Sequence, residues 1–253
     1  METKRTVLVD VTNGIAQVTL NRPEARNAVN LAMCHDLREA FVDLDASDEV
    51  RVVVISAAGD VFCAGADLKE RQGRDASWVT RRRQASFAAY AAIEACTKPV
   101  IAAVNGAVVG SGGEISMAAD FIIGSENVRF RFPEPHWGTV GATQRLQRVV
   151  GKRMAKYLLY TNKVLDAHEA ARLGLLTKVV APEFLAQEVM ATAKSIAAAP
   201  PLSIRLTKRA IDLGSETDLD RGIRIEMAAI EQCLADGGWK KGIEEFAASQ
   251  GAK

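Results

Sequence analysis

The sequence predicts an α/β protein with a helical region at its C-terminal end, and three observations carry that expectation. Short β-rich runs alternate with stretches of helical spacing through the first half of the chain. Two of the runs, residues 50–56 (VRVVVIS) and residues 100–104 (VIAAV), are continuous and apolar, as in strands buried on both faces. Beyond Lys152 helical spacing dominates, and Ala199-Pro200-Pro201 sets off a last helical segment, because proline lacks an N–H and restricts the residue before it. Alternation followed by helices alone is the pattern of an α/β domain with an appendage.

Taken in order, residues 7–11 and 15–20 flank Asn13-Gly14, a dipeptide suited to a tight hairpin turn, so a hairpin opens the first sheet. Residues 31–44 carry apolar side chains at helical spacing and lead into the 50–56 strand. The unit repeats with a helix over 76–95, a stop at Lys98-Pro99, the 100–104 strand, and a glycine-rich turn into a short helix over 114–119. Strands over 121–124 and 128–132 follow, and an extended run over 175–180 interrupts the later helices. The proline break divides the chain into a core domain, residues 1–198, and a helical C-terminal region, residues 199–253.

At 253 residues, 48% hydrophobic and 25% charged, the chain has the make-up of a soluble globular protein with a sizeable core. A net charge of +1 sets up no field for nucleic acid or an anionic membrane, so neither is expected as a partner. The opening METKRTVLVD has no apolar signal stretch and no window is long enough to cross a bilayer, which gives a cytoplasmic expectation. Cys34, Cys63, Cys96 and Cys233 are scattered without a Cys-x-x-Cys pair and read as reduced packing residues. His35, His136 and His168 lack ligand spacing, so no metal site is expected.

The most informative stretch is KPVIAAVNGAVVGSGGEISMAAD, residues 98–120, where a buried strand feeds Asn105-Gly106 and then Gly110-Ser111-Gly112-Gly113 before a short helix. Glycines let backbone approach a ligand, and the helix start offers unpaired N–H groups to an oxygen that becomes negative. Glu114 follows at once. A dinucleotide fingerprint would need glycine in place of Ile115, a P-loop would need Gly-Lys-Ser/Thr, and a nucleophile elbow around Ser111 would need glycine in place of Val109.

Asn105-Gly106, the glycine-rich turn and Glu114 together resemble the signature of the enoyl-CoA hydratase/isomerase (crotonase) superfamily. So does FCAGADL, residues 62–68, which is similar to that family's AGAD(L/I) loop. Further matching pieces are Leu20-Asn21-Arg22-Pro23, Arg26-Asn27-Ala28, Pro133-Glu134, Thr143-Gln144-Arg145-Leu146 and the run AARLGL from Ala170. The resemblance implies a spiral of ββα units with a helical C-terminal trimerisation region, assembled as a homotrimer or hexamer. It also implies an acyl-CoA substrate, with coenzyme A part of that substrate and no separate cofactor.

By the same resemblance, the backbone N–H groups of Ala66 and Ser111 form an oxyanion hole, and Glu114 and Glu134 handle the proton and the water. Arg26 and Lys69 stand where the family places cations near the CoA phosphates, and Ala64, Ala66, Asp67 and Leu68 stand beside the adenine end. The expected reaction is hydration of a 2-enoyl-CoA, with Δ3,Δ2-enoyl-CoA isomerisation as the alternative because it can run on one carboxylate. A non-enzymatic RNA-binding or scaffold role finds no basic stripe to support it. Arg81, Arg82 and Arg83 read as a solvated helix face, with the nucleotide end of CoA as their other possible partner. The loop after Gly138 is shorter than the family's, which puts the placement of Glu134 in question. His136 and Trp137, just after that glutamate, are candidates to line the acyl pocket.

Overall fold

In a computed structural model, which describes residues 5–240 and 242–244, the chain winds so that successive turns lay one strand in each of two sheets. The opening hairpin is β1 (Val7–Thr12) and β2 (Ile15–Leu20), closed by Asn13 and Gly14 at φ 53° and 79°, the left-handed values such a turn requires. Helix α1 (Leu31–Ala46) follows, its first turn capped by the Asn30 side chain, which accepts from Met33 N. Next come β3 (Val52–Ala57), β4 (Val61–Cys63), the short α2 (Leu68–Arg71) and α3 (Ala76–Glu94). The pattern recurs as β5 (Val100–Val104), β6 (Ala107–Val109) and α4 (Ser111–Met117). It returns as β7 (Phe121–Ser125), β8 (Arg129–Arg131), a 3-10 turn over Glu134–Trp137, and α5 (Thr143–Val150).

Helix α6 (Lys152–Thr161) then leads to β9 (Leu165–Asp166), α7 (Ala167–Arg172), β10 (Lys178–Val180) and α8 (Leu185–Ala198). The larger sheet has the order β1-β2-β3-β5-β7-β10 and is parallel after the hairpin; the smaller is β4-β6-β8-β9, with β9 antiparallel. The continuous apolar runs owe their composition to burial on both sides. Val53, Ile55 and Ala102 face a core shared with Leu37, Phe41, Tyr90 and Ile93 of α1 and α3. Val52, Val54, Ile101 and Ala103 face Leu185, Val189 and Ala193 of α8.

Three features depart from the sequence expectations. β4, β6 and β9 span only two or three residues, too short to leave a strand pattern. α4 begins at Ser111, so Gly112 and Gly113 are helical; they are tolerated because Cys63 and Phe132 press so closely that a Cβ would come within 2.8 and 2.5 Å of them. The third departure is Arg82, expected on a solvated face but only 3% exposed, with its guanidinium donating to the Val29 carbonyl. An arginine can bury its stem along a helix and still reach a carbonyl with its fork.

After the Ala199-Pro200 break, α9 (Pro201–Ser215) and α10 (Leu219–Asp236) pack against each other. Lys208 ties α9 to Asp120 at 2.9 Å. No residue of α10 is buried, and Leu219, Ile223, Met227, Ile230 and Leu234 are exposed. Phe246, expected to extend this apolar tail, lies outside the described residues. Among the described residues no helix is long and apolar enough to cross a membrane.

Candidate active site

β5 and β6 deliver the chain to a bend that fixes the start of α4. Gly106 sits so close to the Asp60 carbonyl that a Cβ would lie 2.0 Å from it. Gly110 takes φ 48° and ψ −104°, a left-handed conformation, and a Cβ there would stand 2.6 Å from Glu134 Oε1. The next residue, Ser111, is the first of α4, so no carbonyl of the preceding turn accepts its N–H. Its residue is 4% exposed, and its N–H belongs to the positive end of a seven-residue helix.

A second free N–H comes from the 64–68 loop. Ala64 N donates to the Arg26 carbonyl, Gly65 N to Cys63 Sγ, and Asp67 N to the Val29 carbonyl. Val29 N returns a bond to the Gly65 carbonyl, making a parallel bridge between Val29 and Ala66. The loop is thereby stapled on both sides of Ala66, whose own N–H has no acceptor among the described residues. The Asp67 carboxylate is engaged locally: it accepts from Lys69 N and Glu70 N at the start of α2 and pairs with Arg22 at 2.9 Å. Leu68, Lys69 and Arg26 are exposed beside it.

The two glutamates meet at Gly141-Ala142. Glu114 Oε1 accepts from Ala142 N at 2.8 Å, while a Cβ on Gly141 would stand 2.8 Å from Glu134 Cγ. Ala142 holds φ 54°, an unusual value for alanine, which aims its N–H back at Glu114. Glu134 itself is fixed locally: Thr139 N donates to its carbonyl, and its side chain is wedged between Gly110 and Gly141.

Their surroundings differ sharply. Glu114, 4% exposed, also accepts from Arg145 Nη1 at 3.0 Å, and Arg145 is anchored through Nη2 to Glu94 at 2.7 Å. Glu134, 9% exposed, has its Oε2 buried with no hydrogen-bond partner. Burial, reinforced by the nearby charge of Glu114, pushes the Glu134 carboxyl above the usual carboxylate range, against the pull of its own backbone and Arg83. One carboxylate is thus held by a cation and an amide; the other is in surroundings that favour the proton.

Ala64, Ala66, Leu68, Ser111 and Glu134 line a single narrow cavity of about 40 Å³. Trp137 lines it too, whereas His136 turns away to the Tyr160 carbonyl at 2.8 Å. Arg71 and Arg83 complete its charged lining. A larger groove of about 680 Å³ between α9 and α10 contains none of these residues. Arg145 and Ala142 as holders of Glu114, and Arg71 at the cavity, were not singled out by the sequence, and Arg83, expected on a solvated helix face, is half-buried and lines the cavity. Arg145 has no periodic signal separating it from Arg148, which is exposed and pairs with Glu216 at 3.6 Å.

Of the four free thiols, Cys34, Cys63 and Cys96 are buried in packing positions and Cys233 is half-buried; burial pushes the Cys63 thiol up to about 12.

The winding of the chain between two sheets, with Ala66, Ser111 and Glu134 around one cavity and Glu114 beside Ala142, gives the fold and site of a crotonase-type protein. The chain belongs to the enoyl-CoA hydratase/isomerase family, whose model matches residues 10–252. It is 38% identical to a crotonyl-CoA hydratase of Syntrophomonas wolfei over 95% of this chain and 94% of that protein. It is 35% identical to a short-chain-enoyl-CoA hydratase of Clostridium acetobutylicum, again over 95% and 94%. The crystal structure of an enoyl-CoA hydratase from Bacillus anthracis superposes with a TM-score of 0.94 at 33% identity, covering 96% of each chain.

Proposed function

We propose that this chain hydrates the double bond of a 2-enoyl-CoA. The observation that carries the reading is the contrast between Glu114, held by Arg145 and Ala142 N, and Glu134, buried beside it with an unpartnered oxygen. Addition of water across C2 and C3 needs a base for the water and an acid for C2. Glu114 takes a proton from water as its oxygen bonds to C3, and Glu134 delivers a proton to C2. The negative charge that gathers on the thioester oxygen is met by the N–H groups of Ala66 and Ser111, already aimed before reaction. Coenzyme A enters and leaves as part of the substrate.

Arg26 and Lys69, both exposed, meet the CoA phosphates in this reading, and the backbone of Ala64, Ala66, Asp67 and Leu68 meets the adenine end. The enzyme works in the cytoplasm as a homotrimer or hexamer. Residues 1–198 serve as the catalytic core, and residues 199–253 as the assembly region through the exposed apolar face of α10. Sedimentation as a stable monomer at micromolar concentration would refute the assembly. Loss of the conjugated-thioester absorbance of a 2-enoyl-CoA on adding enzyme tests the reaction. Conversion of a 3-enoyl-CoA to its 2-enoyl isomer, without hydration, would favour the isomerase instead.

A further inference from the structure

The cavity that holds Glu134 is also lined by two cations, Arg71 and Arg83. Arg71 closes α2 and Arg83 stands in α3, and both are half-buried. Among the described residues neither guanidinium forms an ion pair or a hydrogen bond; Arg83 only lies over the Phe87 ring at 5.8 Å. Three other arginines near the site are engaged: Arg22 with Asp67, Arg82 with the Val29 carbonyl, and Arg145 with Glu94 and Glu114. Half-exposed and without a protein partner among the described residues, the two guanidiniums are free to bind an anion that enters the cavity. Among the described residues Glu134 is the one carboxylate lining the cavity, and its surroundings favour the neutral form.

We propose that Arg71 and Arg83 select an acyl chain that itself carries a carboxylate, so that the substrate is the CoA monothioester of an unsaturated dicarboxylic acid. The inference rests on the hydratase reading and names its substrate class. The CoA phosphates, assigned above to Arg26 and Lys69, are the other available anions, and the comparison of two thioesters below separates them from an acyl carboxylate. Both arginines share the cavity of Ala66, Ser111 and Glu134, where the reacting carbons sit, and Arg83 is near enough to Glu134 to bear on its charge. Two planar forks from different helices suit the two oxygens of a carboxylate.

The test compares kcat/KM of the full chain on 4-carboxybut-2-enoyl-CoA and on its uncharged isostere 5-methylhex-2-enoyl-CoA. The carboxylated thioester is expected to be favoured by about tenfold to a hundredfold, the range for a charge-assisted hydrogen bond. Arg71→Met and Arg83→Met should each cut that ratio by roughly tenfold, and Arg83→Lys should restore part of it. A wild-type ratio of one or less would overturn the proposal independently of how the variants fold. So would an equal loss on both thioesters in the variants, which would assign the arginines to the shared CoA portion. If neither thioester is hydrated, the hydratase reading itself fails and this inference with it.

Discussion

Arg145 grips Glu114 from one side at 3.0 Å while its other nitrogen is pinned to Glu94 at 2.7 Å, so a surface carboxylate fixes the position of a buried one. The Arg145 side chain is 17% exposed and that of Glu114 5%, so the pair is screened little by solvent. Arg145→Met is expected to lower kcat by about tenfold to a hundredfold with KM nearly unchanged, since a misplaced base slows the chemistry more than binding. It should also cost about 3 kcal/mol of stability, because Glu114 is left without its cation. Arg145→Lys should recover part of kcat. A fully active Arg145→Met enzyme would remove Arg145 from the positioning role.

Glu114→Gln and Glu134→Gln are each expected to reduce turnover by about a hundredfold to ten-thousandfold, the usual worth of a positioned acid or base. Binding should change little because the amide keeps the shape of the carboxyl. Steady-state kinetics on one 2-enoyl-CoA separates the two effects. A Glu134→Gln protein with near-normal hydration would require another acid.

Glu134 also makes stability depend on pH. Its folded-state pKa is raised, so the folded protein binds this proton more tightly than the unfolded chain does. The contribution is therefore fully present below the ordinary carboxylate range and is lost as pH rises through the raised value. Glu134→Gln has no proton to lose. Its Tm relative to the parent should rise as pH climbs from about 4 upward and level off once Glu134 is ionised in the folded state. A Tm difference that stays flat or falls over that window would contradict the buried, unpartnered placement.

Gly110→Ala probes the wedge that holds Glu134. The substitution puts a Cβ at a φ of 48°, 2.6 Å from Glu134 Oε1. Backbone strain alone should cost about 1–3 kcal/mol, and kcat should fall at least tenfold as the carboxyl is displaced. Thermal unfolding and kcat measured together distinguish this from general misfolding. Full activity would mean that Glu134 is not fixed by Gly110.

The long β-branched runs and the capped helices were legible because burial on both faces leaves a continuous apolar signature, as in Val52–Ala57 and Val100–Val104. The smaller sheet was legible only in part. Val61–Cys63 and Ala107–Val109 are each three residues long and are held by parallel neighbours rather than by any pattern of their own. The site divides the same way. Ser111 and Glu114 stand in or just after a glycine-rich turn, which marks where backbone must come close, whereas Ala66 and Glu134 were singled out through the family resemblance. The Ala142 N–H and Arg145 reach Glu114 from 28 and 31 residues away, a tertiary relation that no local pattern encodes. Arg82 and Arg83 are neighbours in sequence, yet one is 3% exposed in the core and the other lines the cavity.

The central claim is that two backbone amides and not a serine hydroxyl stabilise the charge on the thioester oxygen, and position 111 tests it most directly. Ser111 opens α4, the one place in a helix where proline is accommodated because no N–H bond is lost there. Ser111→Ala keeps the amide and Ser111→Pro deletes it. Hydration rates on a 2-enoyl-CoA should stay within a few-fold of the parent for alanine. For proline they should fall by about a hundredfold to a thousandfold, with unfolding still cooperative. A folded Ser111→Ala protein without activity, or a Ser111→Pro protein with full activity, would contradict the account.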